Sequence, residues 1–191
     1  MEVIVISPEH PFPQETEWVQ RMMEAGLNRF HLRRTFDSAE AQQHYLRFFD
    51  KRHYEKISVH QHQEIALAEG IKHVHIKADE RKQNKLVDYW QHSSTSFHSL
   101  DELKQEGPLF QYCFISPVFD SLSKPGYQGN PSLLGSAKHI SIPIYALGGI
   151  TLHTVAVLKG QGFKGVGAIG AIWQNNPLEQ FLRLKEACHD L

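Results

Sequence analysis

The chain has 191 residues, 41% of them hydrophobic and 21% charged, with a formal net charge of -1. That length and composition suit one globular domain with a sizeable core, residues 1–191, and the charge balance gives no support to nucleic-acid or membrane-surface binding. Only two cysteines occur, and no apolar run approaches the roughly 20 residues of a membrane span, so the expected setting is cytoplasmic, without structural disulfides.

Short apolar runs alternate with helix-like stretches from one end of the chain to the other. A strand is predicted at Val3–Ile6, followed by a helix over Thr16–Glu24 ending at Gly26. Arg29–Leu32 reads as the second strand and Ser38–Phe49 as its helix, with Asp37 or Ser38 as the N-cap. Ile57–Val59 and Gln63–Glu69 make a third unit, and His73–Ile76 starts a fourth. Its second half, Asp79–Trp90, is polar and predicts a loop with a short helix. Ser94–Phe97 with Leu100–Glu106, Tyr112–Ile115 with Ser132–Lys138, and Ile144–Leu147 with Thr151–Lys159 continue the alternation. Val166–Ile169 and Leu178–Cys188 close it. Eight βα units of about 24 residues predict a compact (β/α)₈ TIM barrel. A doubly wound open sheet is the alternative, but no glycine-rich dinucleotide loop follows the first strand.

In such a barrel the strand C-terminal ends carry the chemistry. Two segments there end in glycines: Leu147-Gly148-Gly149-Ile150 and Ala168-Ile169-Gly170. Glycine lets backbone N–H groups approach an anion closely, and a following helix adds its positive end. Their position after the seventh and eighth strands predicts a phosphate site on Gly148, Gly149 and Gly170. The alternative is that these glycines only make tight turns. Arg33, after the second strand, offers a planar fork suited to a diphosphate. Ser96 and His98 follow the fifth strand. The long stretch Ser116–Tyr127 reads as a ligand-covering loop, with Ser121, Ser123 and Lys124 as phosphate-binding groups. His60, His62 and His75 could also hold zinc, although 13 histidines in the chain make coincidental clustering common.

Taken in order, these pieces resemble the thiamine phosphate synthase/TenI family along essentially the whole chain. His31-Leu32-Arg33 matches its Q-L-R-x-K stretch, and Glu64-Ile65-Ala66-Leu67-Ala68-Glu69-Gly70 with Val74-His75-Ile76 matches D-x-A-x-x-x-G…G-V-H-L. Thr95–Leu100 matches V-S-x-H-[SN]-L, and Ser116–Lys124 matches G-P-[VI]-F-x-T-x-[ST]-K. Pro143–Ile150 matches P-V-x-A-I-G-G-I. The resemblance implies a (β/α)₈ barrel and a transferase of thiamine biosynthesis. That transferase joins a hydroxymethylpyrimidine diphosphate to a thiazole phosphate and uses Mg²⁺. Thiazole tautomerases and proteins of other roles form the TenI branch.

Several family residues are replaced. The glutamine is His31, the following lysine is Thr35, and the N-D-R stretch is His60-Gln61-His62. Gln61 therefore stands for a Mg²⁺-binding aspartate, and a neutral carbonyl suits a hard cation less than a carboxylate. The second Mg²⁺ carboxylate falls at Glu80, beside Asp79, so Mg²⁺ binding is expected to be weak or dependent on diphosphate. Gly170 replaces a phosphate-binding serine, and Pro117 replaces the tautomerase histidine, leaving His98 and His31 as candidate acid–base groups. The implied partners are small-molecule substrates, thiazole phosphate and pyrimidine diphosphate, with a homo-oligomer compatible. Three readings stay open. They are the transferase, with Arg33, Lys124, His98 and His31 as its catalytic set, a TenI-like isomerase or binding protein, and a histidine-dependent metal hydrolase.

Overall fold

The computed structural model describes residues 1–83, 92–120, 126 and 128–189. Eight strands close into one parallel barrel in chain order: β1 (Glu2–Ile6), β2 (Arg29–Leu32), β3 (Ile57–Val59), β4 (His73–Ile76), β5 (Ser93–Phe97), β6 (Tyr112–Ile115), β7 (Ile144–Leu147) and β8 (Gly165–Ala168). Each pairs with its neighbour, and β8 closes on β1 with Val3 opposite Val166. Among the described residues seven α-helices accompany them: α1 (Glu15–Glu24), α2 (Ala39–Leu46), α3 (Gln63–Ala68), α4 (Ala78–Lys82), α5 (Leu100–Glu106), α6 (Leu152–Val155) and α7 (Pro177–His189). No helix among the described residues is long and apolar enough to cross a membrane.

Strand periodicity sorts the side chains into two cores. Val3, Val5, Phe30, Leu32, Ile57, Val59, Val74, Ile76, Cys113, Ile115, Ile144, Ala146 and Val166 face outward, where Val19, Met22, Leu103, Phe181 and Leu184 cover them. Ile4, Ile6, Tyr112, Phe114 and Tyr145 fill the barrel, with Leu147 and Ile169 against them. Small residues on β8 make room for these rings. A Cβ at Gly167 would lie 2.9 Å from Phe114, so only glycine lets that ring reach across the barrel.

Three of the predicted helices are altered. Ser132–Lys138 is not an α-helix but two 3₁₀ turns, Pro131–Leu133 and Ser136–His139. Gly135 between them has φ +78°, which interrupts any helical run. The helix predicted over Thr151–Lys159 is one α-turn, α6, continued by a 3₁₀ turn at Ala156–Leu158. Likewise the helix predicted to Phe49 stops at Leu46, and a 3₁₀ segment follows at Lys51–Lys56.

Candidate active site at the barrel rim

Alternation along β2 places Arg29 and His31 on the inner face, with Arg33 just past the strand end. The same alternation along β4 places His73 and His75 there, with Lys77 just past the strand end as the N-cap of α4. The register puts His31 opposite Ser58 and His75 opposite Ser94, so His60, two residues past Ser58, stands beside His75. These three histidines are buried and meet inside the barrel. His31 Nδ1 lies 2.9 Å from His60 Nε2, and His31 Nε2 lies 2.6 Å from the Tyr112 hydroxyl. His75 Nδ1 is 3.0 Å from Ser94 Oγ, its Nε2 is 3.3 Å from Ser96 Oγ, and its ring stacks on His60 at 4.1 Å. Burial is the main cause that holds the His31 and His60 pKa values well below the ordinary histidine value. Burial, then the nearby charges of Arg33, Lys77 and Arg81, lowers His75 to about 3. All three rings are therefore neutral at pH 7, each with one N–H donor and one acceptor nitrogen.

Above this layer the rim is cationic. Arg33 and Lys77 act electrostatically on both His60 and His75. Among the described residues no carboxylate lies within ion-pair distance of Arg33. Its neighbour Arg34 is spent on structure: it pairs with buried Glu15 at 3.1 Å and lies over the Tyr45 ring at 4.4 Å. Ser7 Oγ accepts from the backbone N–H groups of both arginines at 2.9 Å, which fixes where the two side chains part. Exposed His98 donates from Nδ1 to the Ser116 carbonyl at 2.8 Å, and this leaves Nε2 as the open acceptor. Ser96 is tied to His75 rather than free at the rim.

The glycine turn is built differently from expectation. Gly148 and Gly149 have φ +96° and +63°. A Cβ on Gly148 would lie 2.8 Å from Pro117, and one on Gly149 would meet Phe119 at 2.7 Å. Val118 and Phe119 N–H groups donate to the Leu147 and Gly148 carbonyls at 2.9 and 3.2 Å. The glycines thus admit the chain after β6, and the tight-turn reading accounts for their missing side chains. The expected dipole contribution is also reduced. α6 has four residues, and Thr151 Oγ1 already accepts from the His153 and Thr154 N–H groups. Gly170 lies in the turn between β8 and α7, its carbonyl accepting from Gln174. Ser121, Ser123 and Lys124 fall outside the described residues.

Among the described residues no resident Mg²⁺ site is made. Gln61 Oε1 already accepts from the Phe36 N–H at 3.2 Å. Glu80 Oε2 accepts from the Lys77 N–H at 3.0 Å and lies 3.5 Å from Gln63 Nε2. One committed carboxylate falls short of the oxygen set that a hard cation requires. Among the described residues the sole group of three or more metal-binding side chains is His31, His60 and His75. It overlaps the anticipated His60, His62 and His75 in two members. His62 sits at φ +47°, outside the strand alternation, and is not a member of that group. Lys77 and Tyr112 were missed from the sequence, although alternation from His75 and from Phe114 points to both.

Comparison with known proteins finds related chains. The family model described as thiamine monophosphate synthase matches residues 3–172. A thiamine-phosphate synthase of Histophilus somni is 32% identical over 95 residues, which cover 47% of this chain and 43% of that protein. One from Prochlorococcus marinus is 25% identical over 182 residues, covering 90% of this chain and 49% of the relative. The chain spans about half the length of the curated relatives it matches. The crystal structure of a thiamine phosphate pyrophosphorylase from Bacteroides thetaiotaomicron superposes with a TM-score of 0.80 at 26% identity, covering 99% of this chain and 98% of that one.

Proposed function

The chain belongs to the thiamine monophosphate synthase family, and from that premise we propose that it is a transferase joining a pyrimidine-methyl diphosphate to a thiazole phosphate. In this reaction the thiazole nitrogen attacks the methylene carbon. A C–N bond forms, the C–O bond to diphosphate breaks, and diphosphate leaves with the electron pair. The observation that carries this reading is the Arg33 guanidinium, without an ion-pair partner among the described residues, which with Lys77 bears electrostatically on His60 and His75. Arg33 and Lys77 face the negative charge that grows on the leaving diphosphate, and Lys124 supplies a third cation from the loop after β6. Ser121 and Ser123 touch the same group. The thiazole phosphate rests on the backbone N–H groups of Gly148, Gly149 and Gly170. No step is assigned to a metal, because Gln61 and Glu80 are already engaged.

The deciding experiment is turnover of the two substrates by the purified chain, followed as diphosphate release and thiamine phosphate formation. Stoichiometric appearance of both products supports the transferase. A second reading, a TenI-like thiazole phosphate isomerase, is favoured by His98, whose Nε2 is open to take a proton. Proton exchange on thiazole phosphate, lost in His98→Gln and without diphosphate release, would select it.

A further inference from the structure

A (β/α)₈ barrel is usually filled by branched aliphatic side chains in layers. Here one part of the interior holds three imidazoles from three adjacent strands, and one ligand nitrogen from each lies within 4.8 Å of the other two. We propose that His31, His60 and His75 form a binding site for a divalent first-row transition ion of the zinc class.

The donor set selects the metal. Three neutral imidazole nitrogens suit Zn²⁺, Co²⁺, Ni²⁺ or Cu²⁺ and suit Mg²⁺ poorly. His31 Nδ1 and His60 Nε2 are 2.9 Å apart. A tetrahedral ion with bonds of 2.0–2.1 Å holds its ligands roughly 3.3 Å apart, so these two nitrogens need to separate by only a few tenths of an ångström. In the metal-free chain His31 Nδ1 carries the proton and donates it to His60 Nε2, while His60 is protonated at Nδ1. On binding, the ion takes the place of that proton, which passes to His31 Nε2 and is donated to the Tyr112 hydroxyl oxygen, 2.6 Å away. The proton count is unchanged. His75 supplies Nε2 as the third ligand while Nδ1–H donates to Ser94 Oγ at 3.0 Å. Its ring swings out of its 4.1 Å stack on His60 to do so, giving up the 3.3 Å contact with Ser96 Oγ. Tyr112 and Ser94 then play the outer part that orients metal-bound histidines by fixing their tautomers. His60 and His75 keep about 5% exposure each, toward the rim. The ion enters from that side, and its fourth position faces the same opening, for water or an anionic oxygen.

The inference is independent of the transferase reading, because it concerns binding by residues outside the cationic rim. Its test uses the full chain, stripped with chelator and titrated with Co²⁺, then with Zn²⁺ as a competitor. The expected result is one equivalent of Co²⁺ bound at micromolar concentration, visible d–d absorption of a low-coordinate nitrogen site, and displacement by Zn²⁺. His31→Gln and His75→Gln should each weaken binding at least about 100-fold. His62→Ala should change it less than twofold. Imidazole nitrogen resonances followed by NMR in the wild type give a reading that needs no variant: three rings should shift on Zn²⁺ addition. Absence of stoichiometric binding, or binding indifferent to His31→Gln, would overturn the proposal.

Discussion

The two halves of the barrel interior are filled by different chemistry. On the side of β1 and β6–β8, Ile4, Ile6, Phe114, Tyr145, Leu147 and Ile169 pack as an apolar plug. On the side of β2–β5, His31, His60, His75, Ser94 and Ser96 fill the space with rings and hydroxyls that bond one another. The apolar half draws its stability from area removed from water, and every lost methylene there leaves a cavity. Burying polar groups in the other half gains little net free energy, since protein hydrogen bonds replace water ones. That half is free to serve binding and chemistry. The contrast predicts that substitutions in the apolar half are felt in folding and those in the polar half in ligand binding.

The largest effects should fall on stability. Phe114→Ala removes the ring that spans to Gly167 and should cost about 3–5 kcal/mol in urea unfolding. His31→Gln should cost only about 1–2 kcal/mol, because glutamine keeps some of the hydrogen bonding. Equal costs would erase the distinction between the halves. Gly148→Val belongs with the large effects: its Cβ would press on Pro117 and its φ of +96° disfavours any side chain. At least about 3 kcal/mol is expected, so this substitution reports on the fold rather than on phosphate binding.

Two adjacent arginines sharpen the comparison. Arg34→Ala strands buried Glu15, whose pKa burial already raises, and should cost about 3–5 kcal/mol of stability. Arg33→Ala should change stability by less than about 0.5 kcal/mol. Its effect should appear in kcat/KM for the transferase reaction, a fall of about 10²–10³. If Arg33→Ala destabilises the chain as much as Arg34→Ala and leaves turnover intact, the rim assignment fails.

Acid should attack the polar half first. A histidine whose pKa is lowered by folding is protonated more readily in the unfolded chain. Stability is therefore complete above pH 6.5 and is lost as pH falls toward the folded value, about 3 for His75. Within that window each such histidine contributes a slope of about 1.4 kcal/mol per pH unit. Urea unfolding with chelator present, between pH 7.5 and 5, should show this slope, and His75→Gln should flatten it by one proton. An unchanged slope in the variant would mean that His75 is not the buried neutral base described above.

All eight strands were legible in the sequence because short runs, most of them apolar, alternate with helix-like stretches at a regular spacing. The helices were less so. Ser132–Lys138 has helical composition, but Pro131 and the left-handed Gly135 break it into two turns. His31 was read as a replaced catalytic glutamine rather than as a partner of His60, since the register that joins them is a long-range property. His60 and His62 looked like a pair because H-x-H in a strand shares one face. That logic fails at the strand end, where Gln61 bends out to cap the Phe36 N–H and His62 enters the left-handed region. Gly148 and Gly149 were read for what they present to a ligand. Their close contact with Pro117 and Phe119 depends on a loop whose path no local pattern specifies.

His62 offers the smallest and most discriminating test of the same contrast. It precedes α3 with φ +47° and ψ +44°, makes no side-chain cap, and its buried Nε2 has no hydrogen-bond partner among the described residues. A non-glycine residue in that region carries strain, and asparagine tolerates it best. His62→Asn also removes the unpartnered nitrogen. A gain of about 0.5–1 kcal/mol in stability is expected, measured by urea unfolding at pH 7.5, with transition-ion affinity unchanged. A loss of stability would mean that the imidazole is held by a bond the turn requires. Loss of Co²⁺ binding would move the ligand set back to the H-x-H pair that the sequence first suggested, and would take His31 out of it.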